Sequence, residues 1–517
     1  MAALISIPEK DPRSIIIALP VVLVGWYIVS SILAWRRLRH IPGPLLASFS
    51  HLWMGSTSYS GKLEKNFLKF EDKYGKLARV GPNDLITSDP EVIRRMGASK
   101  STYNKDSSYE GNRFNPYHPT MFIMLEAQRH DEMKARLTPG YSGRDVPRYE
   151  TAVDEQLNKM VGLIRRKYVS EPEKGKFRDF SLTKPLTYFP LDVIFCLSVS
   201  KHIDEDPGCC DLDDDPYGFY PALEDHLPHL ALTTDIPWMR RILYSPLFLK
   251  WFGPKETDLK GMGALMKLTN SIVRQRFNER NSGIEKQHKD MLQSFMDHGL
   301  NQVECEVETL FMFIAGSDTT ASALKITMMY ILSTPRVYQR LKSEIATALR
   351  EGNISKPITL SEAKHLPYLQ AVIYEGLRIR PVTMGALRKQ VPPQGDTIHG
   401  HFIPGGTTIG SNTIGILRSK ELFGPDANTF RPERFLGLEE GKLAEMRRNV
   451  EMTFGYGRWM CAGKPIALME LNKVYFELFR YFDFQLLDPE RPMVSEGYVL
   501  YRDRGLHVRV TEARDME

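Results

Sequence analysis

"FGYGRWMCAGKPIA", residues 454–467, sets three glycines around a single cysteine and runs on into an apolar, helix-prone stretch. Gly455, Gly457 and Gly463 let the backbone bend and approach something closely, and Cys461 is presented alone among them. Three uses compete for that thiol. A buried, inert cysteine is a common fate. A nucleophile would want a histidine base, and none stands nearby in sequence. A metal ligand would gain from the backbone N–H groups at the start of the following helix, whose positive end favours the thiolate.

Around this loop the chain is long enough for a large core: 517 residues, 42% hydrophobic and 25% charged. That length permits roughly two to four domains, but no Gly/Ser-rich, Pro-rich or low-complexity linker divides residues 60–510 and no internal repeat is visible, so one large domain is expected. The formal charge of +5 is small for the size and makes no case for nucleic acid. Five cysteines, at 196, 209, 210, 305 and 461, form neither a disulfide framework nor a CxxC metal pattern, which points to a reducing compartment for the body of the chain.

The N-terminal run "IIIALPVVLVGWYIVSSILAW", residues 15–35, is 21 residues without a charge, and a spanning helix needs about 20. "RRLRH" follows at 36–40 while only Lys10 and Arg13 precede, so the Lys/Arg bias puts the C-terminal side in the cytosol. The apolar run exceeds the about 7–15 residues of a signal-peptide core and lacks a small-x-small cleavage site. The expected organisation is a luminal segment at 1–14, a transmembrane anchor at 15–35, a basic and proline-rich tether at 36–50, stiffened by "IPGP", and a globular domain at 51–517. A cytosolic body leaves the sequon Asn353-Ile354-Ser355 unglycosylated.

Helix-period segments dominate the body, at 149–168, 181–199, 257–279, 301–332, 335–350 and 365–379. Strand-like runs are short and few, at 77–88, 385–412 and 497–510. That balance predicts a mainly α, α+β domain with a small sheet. "HIDEDPGCCDLDDDP", 202–216, reads as a solvated acidic loop and matches no zinc spacing. "IPWMRRILYSPLFLKWFGP", 236–254, suits either a segment dipping into a bilayer surface or a buried helix pair, which amphipathicity alone does not separate.

Two further motifs precede the cysteine loop in order. "AGSDTT", 315–320, lies inside the helical run 301–332. A threonine there ordinarily bonds back to the preceding turn and an aspartate is mildly unfavourable. Beside Gly316, Asp318 and Thr319 read as a local helix distortion that makes room for a ligand and a proton path. "EGLR" places Glu375 and Arg378 at i, i+3 on one helix face. The spacing alone says little, since E-x-x-R also starts at Glu91, Glu110, Glu126, Glu445 and Glu477, each read as a solvated pair of negligible energy. Only Glu375 is followed by "FRPERF", 430–435, and then the cysteine loop.

With these motifs in this order, over about residues 40–510, the chain resembles the cytochrome P-450 haem-thiolate monooxygenases, whose cysteine loop reads F-x-x-G-x-R-x-C-x-G. Phe454, Gly457, Cys461 and Gly463 stand at those places, while Trp459 holds the arginine place and Arg458 comes one residue early. "GYSG" from 140 and the loop itself look most like fungal members related to pisatin demethylase. The resemblance implies a helical prism with a small β lobe, haem b ligated by Cys461, an oxygen-side hydrogen-bond network at Thr319 and proton relay by Asp318. It also implies a buried Glu375–Arg378–Arg434 cluster, and haem propionates held by Arg388, Arg458, and His130 and Lys134 of "HDEMK", where Lys134 replaces the usual arginine.

By family position Phe122, Phe313, Ala315, Val382 and Val499 would face a lipophilic substrate. The implied activity is oxidation of such a molecule with O2, in fungal secondary metabolism of the terpenoid, polyketide or alkaloid kind. Too little chain follows the loop for a flavin domain, so electrons are expected from a separate NADPH-cytochrome P-450 reductase, with cytochrome b5 as a further donor, at the endoplasmic reticulum membrane. An isomerase or dehydratase working without external O2, and a non-catalytic haem sensor, are the rival readings; an intact Asp318-Thr319 pair argues against both.

Overall fold

The computed structural model describes residues 12–200, 215, 217–283, 288–352, 354–384 and 387–513, with side chains from Val21 onward except Leu23. Its axis is the helix Gln302–Leu332, 31 residues opened by a capping box between Asn301 and Glu304. Leu310, Phe313, Ile314, Leu324, Met328 and Ile331 point in several directions and all are buried, so the helix is covered on most sides. Helices Thr183–Val199, Gly261–Asn281, Pro367–Ile379 and Lys464–Tyr481 pack around it. Thr183–Val199 comes closest because residue 316 is glycine: a Cβ there would lie 2.7 Å from Ile194 Cγ1. The remaining helix-period segments form Tyr149–Lys167, Pro335–Glu351 and their neighbours, and one hydrophobic cluster runs from Phe114 to Val510.

Strands form in all three strand-like runs, and also outside them at Asn104–Lys105, Phe180–Ser181, Phe482–Leu486 and Val494–Gly497. A five-stranded sheet has the order Leu77–Arg79, Asp84–Thr87, Thr408–Ser411, Lys389–Gln390, Asn104–Lys105. Its second and third strands run parallel and the other pairs antiparallel. At its far edge Asn104 pairs with Gln390 and Lys105 with Lys389.

A buried ion cluster ties the helix Pro367–Ile379 to the chain that leads into the cysteine loop. Glu375 takes Arg378 Nε at 2.6 Å and Arg434 Nε at 3.0 Å, and also accepts the Arg431 backbone N–H at 2.7 Å. The outer guanidinium nitrogens cap carbonyls: Arg378 those of Leu417, Ala427 and Thr429, Arg434 those of Phe423, Asp426 and Thr429. Every charge is thus paired and every donor employed, which is what burial of such a group demands. Glu477–Arg480, expected to be a solvated pair, is also buried; Glu477 accepts Ile358 N–H at 2.7 Å, because its helix is enclosed by neighbours.

The segment 236–254 does not form a buried pair. It makes two short helices, Pro237–Leu243 and Pro246–Phe252, with Trp238, Ile242, Leu247, Trp251 and Phe252 exposed. A helix spans Pro12–Leu38, but side chains of residues 15–20 and 23 lie outside the described residues. Among the described residues no helix is long and apolar enough to cross a membrane. Residues 1–11, most of the acidic segment 202–216, the sequon's Asn353, and Gly385 and Ala386 likewise lie outside the described residues.

Replacing Arg434 by alanine leaves Glu375 half-paired and buried, and should cost about 3–5 kcal/mol of stability. Urea titration of the purified variant checks this; a loss below about 0.5 kcal/mol would mean the cluster does not organise this region.

Candidate active site

The cysteine loop is folded by its own backbone. Cys461 N–H donates to the Phe454 carbonyl at 2.7 Å, closing the loop, while Gly455 and Gly457 take φ of +78° and +57°. Gly457 serves protein rather than ligand contact: a Cβ would stand 2.2 Å from the Gly97 carbonyl oxygen. Gly463 precedes the helix Lys464–Tyr481, and the N–H groups of Gly463 and Lys464 point at the Cys461 sulfur. Burial pushes the thiol up, against those two donors and the charges of Lys134 and Lys464. Cys461 lies deep among protein atoms yet is solvent-accessible, so it lines an interior recess.

The central helix opens one face to the interior. Phe311, Ala315 and Thr319, four residues apart, are partly accessible in the middle of a buried helix. Phe122 stacks on Phe311 at 5.2 Å, and Phe114 lies 6.2 Å from it. Buried Glu308, one further turn back, accepts the Met121 N–H and so fixes the turn Met121–Ile123 that carries Phe122. Phe311 is the residue that sequence reasoning passed over, although its i, i+4, i+8 relation to Ala315 and Thr319 was there to be read. Phe313 instead packs in the core against Phe195 at 5.1 Å, two residues away and on another face. Val382 is buried in the main core and Val499 against Ala231.

The helix carries no distortion at 315–320. Its turns are continuous, and Thr319 Oγ1 donates to the Ala315 carbonyl at 2.9 Å. Gly316 is explained by the close approach of Ile194. Asp318 is buried, its Oδ2 has no hydrogen-bond partner among the described residues, and burial pushes its carboxyl up to about 6, opposed by Lys325. It therefore holds a proton to within about one unit of neutrality.

Cations gather behind the loop. Lys134 donates to the carbonyls of Arg458 and Met460, both at 2.8 Å. Arg458 turns outward to Asp131 at 3.0 Å and to the Ser99 carbonyl. His130 packs on the Trp459 ring at 4.5 Å and is held neutral, its pKa driven down to about 2 by burial and by four neighbouring cations. Arg388 faces away: its guanidinium pairs with buried Asp235 at the end of helix Phe219–Asp235. The next residue, Lys389, faces the loop instead, 4.5 Å from the Trp459 ring, with Lys105 at 4.9 Å. Among the described residues Trp459 Nε1 is buried without an acceptor.

A sulfur backed by two N–H donors, an accessible apolar helix face, and a rim of cations with an unmatched indole N–H fit a flat iron macrocycle that bears carboxylates. The family model for cytochrome P-450 matches residues 40–507. The chain belongs to the cytochrome P-450 family. It is 47% identical over 481 residues to the cytochrome P-450 monooxygenase aba1 of Botryotinia fuckeliana, covering 93% of each chain. ABA1 of Pyricularia oryzae is 42% identical over 493 residues, covering 94% of this chain and 95% of that one. Abl1 of Leptosphaeria maculans is 42% identical over 483 residues, covering 92% and 83%. This cytochrome P-450 is thus a haem-dependent monooxygenase of a family that implies a haem-thiolate cofactor.

In this cytochrome P-450, Asp318 binds a proton more readily in the folded chain, to about pH 6, than at its ordinary 3.8. Its contribution to stability is full below about pH 4 and is lost as pH rises through 6. Asp318→Asn, neutral throughout, should therefore exceed the wild type in stability by on the order of 2–3 kcal/mol at pH 7.5, with the gap closing by pH 4. Chemical denaturation at both pH values measures it; a gap that widens on acidification would reverse the assignment.

Proposed function

We propose that this monooxygenase hydroxylates or otherwise oxidises a lipophilic small molecule of fungal secondary metabolism, using O2 and electrons from NADPH through a separate reductase. The observation that carries this reading is the pairing of an aromatic, accessible helix face with a buried carboxyl that titrates near 6, one residue from a threonine hydroxyl. Phe311, Phe122 and Ala315 offer apolar surface and no fixed charge, which suits a lipophilic substrate. Asp318, raised to about 6, can take up and release a proton near neutral pH, and Thr319 keeps a hydroxyl at the same level of the helix. Together they supply a short route for protons into a water-poor recess. Haem, when bound through Cys461, supplies the iron chemistry that activates O2. The protein's own part is to present the sulfur, orient the substrate and meter protons.

The reductase, and cytochrome b5 as a second donor, follow from the family's need for electrons. We place the chain at the cytosolic face of the endoplasmic reticulum, anchored through 15–35, with a single globular domain from residue 51. Exposed Leu45, Leu46 and Leu52 support this seat, as do Trp238, Ile242, Leu247, Trp251 and Phe252. The helices Leu52–Tyr59 and Pro237–Leu243 pack on the same helix, Phe219–Asp235, so the two apolar groups share one end of the molecule.

Expression beside a reductase, with extracts compared against a host lacking the chain, should reveal a lipophilic product carrying one atom from labelled O2. Label arriving from water instead would reject the reading. With that product in hand, Asp318→Asn should slow its formation about 100-fold at least while the ferrous carbonyl spectrum stays of the thiolate type. Cys461→Ala should abolish that spectrum altogether.

A further inference from the structure

Lys105 and Lys389 lie directly opposite one another across the edge pair of the five-stranded sheet, and both are 5% exposed. Like charges in that arrangement repel, and desolvation adds to the cost. Among the described residues neither has an ion-pair partner. Lys105 Nζ donates to the Phe122 and Met121 carbonyls at 2.7 and 3.4 Å, and Lys389 Nζ to the Tyr109 hydroxyl at 3.0 Å. Both ammonium groups sit between the Tyr109 and Trp459 rings, within 4.5–5.0 Å of each centroid. The one polar atom of that box left unmatched is Trp459 Nε1, a donor. Two cations and a donor with no anion to meet make a site for a dianion.

We infer that Lys105, Lys389 and the Trp459 indole N–H hold the two carboxylates of the haem, the role that the family resemblance implied for Arg388, Arg458, His130 and Lys134. The inference rests on the haem-thiolate reading above and deepens it.

Two other cations nearby are already in ion pairs: Arg388 with Asp235, and Arg458 with Asp131 and the Ser99 carbonyl. Lys134 bonds two loop carbonyls, much as Lys105 bonds two carbonyls, but does not lie over the Tyr109 and Trp459 rings in the way the lysine pair does. Trp459, at the arginine place of the loop, lies with its indole over the lysine pair and supplies the hydrogen-bond donor. The lysines register the missing charge as well. Burial, together with neighbouring positive charge, drives Lys105 down to about 7 and Lys389 well below its ordinary range. Glu308 and Asp131 act on Lys105 and Asp106 on Lys389 only from beyond ion-pair distance.

The test compares haem with its dimethyl ester, which has the same ring and iron but no carboxylate charge. Each is loaded into the full chain, and its transfer to excess apomyoglobin is followed at the Soret band. Wild type should lose the ester about 30-fold faster than haem or more, as expected for charge-assisted hydrogen bonds. Lys105→Gln combined with Lys389→Gln should shrink that ratio to about threefold, Trp459→Phe should lower it part-way, and the paired lysine-to-arginine variant should restore it. Arg458→Gln should leave the ratio within about twofold. Equal loss of haem and ester from wild type overturns the inference without any variant. So does a full ratio in the folded glutamine double variant, which would assign the carboxylates to Lys134 or Arg458. Absence of the thiolate-type ferrous carbonyl band from wild type would instead strike the haem reading itself, a result distinct from either.

Discussion

The carboxylate of Glu375 is the point on which the rest of the structure turns. It has no exposure to water and is met by two guanidinium groups and a backbone N–H, so it can exist as an anion only while helix Pro367–Ile379 and the segment 417–435 stay together. The two arginines in turn satisfy carbonyls from residues 417 to 429 that no sheet or helix would otherwise cover. Such a cluster gives little net stability compared with an apolar core of equal size, because desolvation offsets most of the Coulomb gain. What it gives is a single allowed geometry, since any slip leaves buried charge unpaired. The chain that leaves this cluster runs through helix Glu440–Glu451 straight into the cysteine loop.

The loop and the central helix then build the site from opposite sides by different means. The loop is rigid because backbone bonds to backbone, and Gly457 lets it lie against Gly97 with no side chain between. Its sulfur faces the positive end of a helix, where anionic character is stabilised. The central helix contributes by burial: Asp318 holds its proton up to about pH 6, well above its ordinary range, because it is shut away from water, and Thr319 keeps its hydroxyl employed on the helix itself. Burial works against negative charge on both sides, but at the loop two N–H donors and the charges of Lys134 and Lys464 oppose it, whereas at Asp318 only Lys325 does. That division is what an enzyme needs if it is to push electrons from one face and deliver protons at the other.

Much of this was legible along the chain. The helix-rich body, part of the strand set, the cysteine loop with its following helix and the order of the motifs come from local patterns that survive without tertiary context, while the helical prism came with the family resemblance. The Glu375 cluster was legible only because "FRPERF" follows at a distance, for Glu477–Arg480 has the same spacing and is buried too, in a different network. Where reading failed, the cause was facing rather than identity. On a helix enclosed on all sides, periodicity carries no phase, so Phe313 was chosen where Phe311 faces the recess. The exposed faces of 237–252 were equally undecided, since an amphipathic helix shows an apolar side whether protein or lipid is meant to cover it.

The sequence by itself determined that a lone cysteine would stand at a helix start, that a long apolar helix would carry an aspartate and threonine side by side, and that charges would recur at fixed intervals before the loop. Tertiary structure decided which neighbour does the work. In a strand, successive side chains point to opposite faces, so Arg388 and Lys389 cannot both reach the loop. Pairing of Lys389 with Lys105, and the presence of Asp235 on the opposite side, settle the choice, and both partners lie more than a hundred residues away in the chain.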